Sequence, residues 1–293
     1  MNRSLLVIAC CLAVAPWTSV ALTAERSEIV LWPQGVPEPR VPADPVEVAE
    51  KKADGIQRRS NVSNPRLVVY DIPQTEPAKL RSAVIVVPGG GFRRLADEHE
   101  GSDACRWLND HGIVSFLVLH RVPTDTMPEP NAAPVQDIQK SVQEVRRRAA
   151  EFKIDRAKVA VLGFSAGGQA TLVAATNQPR FPAADPAVSA RPDALLLLYA
   201  WKIVGEGNQG LRPDVTIDGS TPPTFIAQCG DDPGSVSQGS ANLYLKLIEA
   251  KVPAEIHIYE KGGHGFGLKA GNTLPGQLDW KARAIDWLRG RGW

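Results

Sequence analysis

Metal-ligand spacing, an excess of charge of either sign, and long apolar runs beyond the amino terminus are all missing from this chain. Its 293 residues hold four cysteines and five histidines, and none of them falls into a Cys/His spacing of the kind a metal site uses. Lysine plus arginine (33) and aspartate plus glutamate (32) nearly cancel, to a net charge of +1. That balance gives no electrostatic footing for nucleic acid or an anionic membrane surface. The cluster Arg146-Arg147-Arg148 lies in a helical pattern and reads as a solvated helix face. Internal repeats and low-complexity tracts are absent too, so the length and the 43% hydrophobic content point to one large α/β core.

The amino terminus is the exception to this even composition. Arg3 precedes an apolar run from Leu5 to Pro16, and the small residues Ser19-Val20-Ala21 follow. A positive start, an apolar segment too short to span a bilayer and a small-x-small site describe a secretory signal peptide over residues 1–21. Cleavage is expected after Ala21, with Ala24 as the alternative. Val7-Ile8-Ala9-Cys10 loosely resembles a lipoprotein processing site but lies too close to Arg3, so no lipid is expected. The mature chain should then be exported, periplasmic or secreted, with no membrane attachment. Cys10 and Cys11 leave with the signal, and Cys105 and Cys229 remain. In an oxidising compartment these two either pair or stay as buried thiols; both readings stand.

After the signal comes a proline-rich, extended lead-in over residues 22–65, expected to cover surface rather than build core. A single domain should follow over residues 66–293. Its apolar runs at 83–87, 113–119, 159–162, 194–199, 224–228 and 255–259 read as strands, with a shorter one at 67–70. Helical patterns fill residues 101–109, 135–151, 169–176, 241–250 and 279–289. Strands alternating with helices predict a mainly parallel central sheet with helices on both faces. The polar, Gly-rich stretch 202–223 is long for an unstructured connection and is expected to overhang a cleft.

The run Val159 to Leu162 leads into Gly163-Phe164-Ser165-Ala166-Gly167, a G-x-S-x-G pattern between a strand and a helix. That context makes it a nucleophile elbow, a turn so tight that side chains two positions either way would collide with neighbouring elements. Serine needs a base, and the base needs an orienting acid. His264 stands among four glycines just after the last strand, whereas His257 lies within that strand and His111 at a helix end. Asp231-Asp232 follows the strand at 224–228 and supplies the acid in the order Ser, Asp, His. Gly89-Gly90-Gly91 follows the strand at 83–87. Gly90 and Gly91, with Ala166 after the nucleophile, are the expected backbone donors to an oxyanion. No Lys-Ser/Thr follows those glycines, which excludes a phosphate loop.

Several stretches resemble the alpha/beta-hydrolase superfamily, and within it bacterial esterases akin to acetylxylan esterases and acetyl esterase/lipase-like proteins. They include Asn61-Val62-Ser63-Asn64-Pro65, Val87-Pro88-Gly89-Gly90-Gly91-Phe92, His99-Glu100-Gly101, Pro134-Val135-Gln136-Asp137, Asp231-Asp232-Pro233 and Tyr259 to Gly267. The resemblance implies an alpha/beta-hydrolase fold and a serine esterase with Ser165 as nucleophile and His264 as base. The family tends to place its acid directly before the proline, which favours Asp232 over Asp231. Short acyl groups on a small-molecule or polysaccharide ester are the implied substrate, and no metal or cofactor is implied. Pro88, His120 and Gly234-Ser235 depart from the family pattern. Glu100 has no evident role beyond helix capping. Two other readings share the scaffold: a peptidase of the prolyl-oligopeptidase type, and a non-catalytic glycan-binding protein. The peptidase class normally carries a large accessory domain, and none fits before Leu67.

Overall fold

The computed structural model describes residues 26–76, 78–181 and 185–293; the signal peptide expected over residues 1–21 lies outside them. The strands in chain order are β1 (Glu28–Val30), β2 (Val48–Lys51), β3 (Gln57–Ser60), β4 (Arg66–Tyr70), β5 (Arg81–Val87), β6 (Val114–Leu119), β7 (Ile154–Phe164), β8 (Ala194–Leu198), β9 (Thr224–Cys229) and β10 (Ala254–Tyr259). The helices are α1 (Asp103–Asn109), α2 (Ala132–Arg147), α3 (Ser165–Thr176), α4 (Ser237–Glu249), α5 (Pro275–Leu278) and α6 (Trp280–Arg289). Eight strands form one sheet in the order β1-β4-β6-β5-β7-β8-β9-β10, and β2 with β3 makes a separate hairpin. From β6 across to β10 all neighbours run parallel, while β4 and β1 are antiparallel at one edge.

The unbroken apolar runs follow from burial on both faces of the sheet. In β5, Ala83, Ile85 and Val87 pack into the core under α2, α3 and α4, and Val84 and Val86 into the core under α1 and α6. The same alternation divides β7 and β8, with Val161 and Leu197 on the first side and Leu162 and Leu196 on the second. In α2 the apolar residues Val135, Ile138, Val142 and Val145 recur at helical spacing and all join the first core.

Strand order also decides where a crevice opens. The chain leaves β5 through α1 to reach β6 on one side, then returns through α2 to enter β7 on the other. Those two helices lie on opposite faces of the sheet. Between the carboxyl ends of β5 and β7 nothing crosses, which is the usual place for a binding crevice in such sheets.

The lead-in corrects one expectation. Residues 28–31 do not merely cover surface: β1 adds a strand to the sheet edge, and Leu31 is fully buried. Prolines keep residues 33–45 out of any ladder, which leaves their carbonyls to be satisfied otherwise. Buried Arg121 donates through Nη1 to the carbonyls of Pro37 and Pro39, at 2.7 and 2.8 Å, and through Nη2 to Asp137 Oδ1 at 2.9 Å. Trp32 Nε1 donates to the same carboxylate at 2.8 Å. Removing one partner of such a buried pair leaves an uncompensated charge, a loss of about 3–5 kcal/mol. The lead-in is therefore pinned to the domain by the Pro134-to-Asp137 motif.

Candidate active site

The elbow is built as the glycine spacing requires. Phe164 is still extended, and Ser165 turns sharply with φ +50°, a left-handed value that side chains rarely adopt. A Cβ at Gly163 would lie 2.6 Å from Thr171 Oγ1, and one at Gly167 would lie 2.5 Å from the carbonyl oxygens of Val87 and Pro88. Only glycine lets β7, the end of β5 and α3 approach this closely. Helix α3 begins at Ser165 itself, four residues before the periodicity expects it, because the first turn has no polar–apolar contrast: residues 165–175 are all buried.

Ser165 Oγ lies 2.8 Å from His264 Nε2, and His264 Nδ1 lies 2.8 Å from Asp232 Oδ2. The structure thus brings together three side chains from the ends of β7, β9 and β10. Asp232 Oδ1 accepts the N–H groups of Gly234 and Ser235, at 2.7 and 2.9 Å, and Oδ2 also accepts from Gln228 Nε2 at 3.0 Å. Burial disfavours charge on this carboxyl. The hydrogen bond and charge of His264 and the two N–H donors outweigh it and hold Asp232 below the usual carboxylate range. Asp231 has a separate task, since its Oδ1 accepts the N–H groups of Gly262 and Gly263 at 3.0 and 2.8 Å. Exposed though it is, it ties down the histidine loop rather than capping its own turn. The Gly234-Ser235 departure is also explained: a Cβ at Gly234 would meet the His264 ring at 3.0 Å.

At the end of β5, Gly90 and Gly91 adopt φ +133° and +66°. A Cβ at Gly91 would meet nothing within 4 Å, so this residue faces open space. Among the described residues neither Gly90 N–H nor Gly91 N–H has an acceptor. Ala166 N–H belongs to the first turn of α3, where helix donors lack partners. Gly89, by contrast, gives its N–H to Glu100 Oε2 at 2.9 Å. Glu100 does not cap a helix by its side chain, as had been expected; it is buried inside a π-helical turn, Glu98–Ser102, ahead of α1. Its placement escaped sequence reasoning, and the only trace was an acidic residue in a motif without a task.

His120, one of the departures from the family pattern, does not line the cleft. It is buried under the glycine loop, its ring nitrogens 3.2 and 3.4 Å from the carbonyls of Arg121 and Pro88, and burial pulls its pKa down. His111 faces the Trp107 carbonyl and His257 faces Glu255. Among the described residues no three His, Cys, Asp or Glu side chains group as a metal would need. Cys105 and Cys229 are free and buried, and burial pushes both thiols up to about 12.

Two hollows flank Ser165. A cavity of ≈ 190 Å³ is lined by Gly91, Phe92, Gln169, Trp201, Lys202 and Arg212, so the 202–223 stretch does reach the cleft. A groove of ≈ 570 Å³ has His264 on one wall and the β2–β3 turn, residues 54–56, on the other. A larger cavity of ≈ 690 Å³ near Gln143 and Ser220 touches none of the three residues.

Comparison with known proteins agrees with this geometry. The BD-FAE family profile matches residues 69–194. An acetylxylan esterase of Xylanibacter ruminicola is 30% identical over 209 residues, covering 63% of this chain and 41% of that protein. Endo-1,4-beta-xylanase B of Butyrivibrio fibrisolvens is 28% identical over 211 residues, covering 64% of this chain and 32% of that protein. The chain therefore spans less than half the length of either relative. Among solved structures, an acetyl ester-xyloside bifunctional hydrolase from Caldicellulosiruptor lactoaceticus is 28% identical with a TM-score of 0.69, covering 93% of this chain and 98% of that one. Strand order and elbow give this chain the alpha/beta-hydrolase fold, and in sequence it is similar to acetyl esterases of that fold.

Proposed function

We propose that this protein is a serine hydrolase of carboxylic esters that removes short acyl groups, acetyl above all, from carbohydrate such as xylan. The observation that carries the reading is the relay from Ser165 Oγ through the His264 ring to Asp232, with both contacts at 2.8 Å. In this reading Ser165 attacks the ester carbonyl and His264 Nε2 takes its proton. Asp232 holds the Nδ1–H tautomer and stabilises the imidazolium. Gly90, Gly91 and Ala166 donate to the oxyanion, each donor contributing about 3–4 kcal/mol. His264 then protonates the leaving alcohol, and water repeats the sequence on the acyl-enzyme. The acetylxylan esterase and the acetyl ester-xyloside hydrolase named above support the acetyl and xylan assignments. A fluorophosphonate that labels Ser165 tests the nucleophile. Turnover of nitrophenyl acetate but not of a peptide anilide separates the reading from a peptidase, and absence of both labelling and turnover would leave a binding protein.

His264 must reach the alcohol oxygen, so the groove on its side takes the leaving group, and the ≈ 190 Å³ cavity beside Gly91 takes the acyl chain. Phe92 and Trp201, with ring centroids 6.1 Å apart, limit its length. Acetyl and propionyl esters should show kcat/KM about tenfold or more above a ten-carbon ester, since each mismatched methylene changes binding by about 1–3 kcal/mol. A kinetic series over acyl length checks this, and a higher value for the ten-carbon ester sinks the acyl assignment.

Export is proposed from residues 1–21 alone. Among the described residues no helix is long and apolar enough to cross a membrane. Amino-terminal sequencing of the mature protein should find a start near Leu22, and a modified Cys10 would overturn it.

A further inference from the structure

The proposed reaction leaves His99-Glu100-Gly101 without a task, yet Glu100 is only 3% exposed. A carboxylate is rarely buried this far without donors that replace water. Its donors are specific. Oε2 accepts Gly89 N–H at 2.9 Å, and Oε1 accepts the Tyr199 hydroxyl at 2.9 Å. That hydroxyl in turn accepts Gly267 N–H at 2.9 Å. Gly89 opens the loop that presents Gly90 and Gly91, and Gly267 closes the loop that presents His264. The same turn grips the histidine loop a second time, through Leu268 N–H to the His99 carbonyl at 2.9 Å.

Both loops close tightly on this one side chain. A Cβ at Gly89 would lie 2.8 Å from Glu100 Oε2 and 2.7 Å from Ser165 Cβ. A Cβ at Gly267 would lie 2.7 Å from the His99 carbonyl and 3.1 Å from Glu100 Cγ. Burial first, and Glu100 next, raise the Tyr199 phenol well above its ordinary range, so it keeps the proton it donates.

We propose that Glu100 is a positioning residue that sets the oxyanion loop and the histidine loop in register, through Gly89 on one side and Tyr199–Gly267 on the other. The inference rests on the ester-hydrolase reading. Glu100 touches no reacting atom; it acts by holding donors and base at the distances the reaction needs, where small displacements are costly.

Glu100→Gln tests it with little change of shape. A glutamine offers one acceptor oxygen, so either Gly89 N–H or the Tyr199 hydroxyl must face an N–H donor. We expect kcat on nitrophenyl acetate to fall about 10²-fold with KM within about twofold, as for a lost transition-state interaction. Affinity for an arylboronic acid, which forms a tetrahedral serine adduct, should weaken in parallel. Tyr199→Phe removes both the acceptor for Gly267 N–H and the donor to Glu100 Oε1 while leaving Gly89 its partner, and kcat should fall about tenfold. The double variant should lose less than the product of the two, because one arm runs through both residues. Near wild-type kcat in both variants, or a KM rise with kcat unchanged, overturns the inference. If Glu100→Gln does not fold, Tyr199→Phe decides alone, and wild-type kcat there overturns it. A wild-type protein that neither turns over the ester nor labels at Ser165 sinks the esterase reading, and this inference with it. An active wild type with unaffected variants sinks the inference only.

Discussion

Ser165→Ala is expected to lower kcat on nitrophenyl acetate about 10⁶-fold, the scale seen when a triad nucleophile is removed. The substitution deletes one oxygen and leaves the elbow in place. Alanine meets the same backbone demand at φ +50° as serine does, and the surrounding glycines are untouched. What disappears is the partner of His264 Nε2 at 2.8 Å, and with it the hydroxyl placed to attack. Residual turnover should still exceed the uncatalysed rate by about 10³–10⁴-fold, because oxyanion donors and binding survive. Steady-state kinetics, with mass spectrometry of the fluorophosphonate adduct, check both halves. A variant that keeps most of its activity removes Ser165 from the mechanism.

Asp232→Asn is expected to cost about 10⁴-fold in kcat, and Asp231→Asn about tenfold or less. The hydrogen bonds around the two carboxylates explain the difference. In Asp232, Oδ1 is held by the N–H groups of Gly234 and Ser235 at 2.7 and 2.9 Å. An asparagine there must keep its oxygen toward those donors. Its amide nitrogen then falls where Oδ2 was, facing His264 Nδ1 and Gln228 Nε2. Donor meets donor unless the imidazole flips its tautomer, and the flipped ring carries a proton on Nε2 and cannot take one from Ser165. In Asp231, Oδ1 alone accepts from Gly262 and Gly263, and an asparagine oxygen does that equally well. Purified variants with circular dichroism as a folding control settle the ranking. The reverse order would move the acid to Asp231, and two small losses would place it elsewhere.

The lowered pKa of Asp232 has a stability consequence of defined sign. Its folded value lies below the unfolded value of about 3.9, so its contribution is complete above that pH. The contribution is lost only as pH falls through the folded value. Acid unfolding of Asp232→Asn should therefore be less steep below about pH 4 than that of the wild type.

The elements that were legible in the sequence share a physical cause. Strands β5, β6, β8, β9 and the second half of β7, from Val159, are buried on both faces, so they appear as largely apolar runs. The elbow was legible because three elements approach within contact distance and only glycine allows it. Strand β1 was not, since three residues at a sheet edge carry no periodicity. Residues 48–51 of β2 are all exposed, and β3 reads Gln57-Arg58-Arg59-Ser60, so neither shows an apolar face. His120 was legible only as a departure from the family pattern, and its place beside the Pro88 carbonyl was not.

Composition, apolar periodicity and glycine spacing by themselves determined a mainly parallel α/β sheet, a serine at a strained turn, and a histidine and a pair of acids beyond later strands. Those properties are local: backbone sterics and side-chain alternation act within a few residues. Which acid meets the imidazole, which one holds its loop, and that Glu100 ties Gly89 to Tyr199 were decided only by the tertiary structure. Each is a contact between residues 11 to 99 positions apart. Hydrogen bonds select partners by distance through space, and that distance is set by how the strands are ordered in the sheet, which no local pattern encodes.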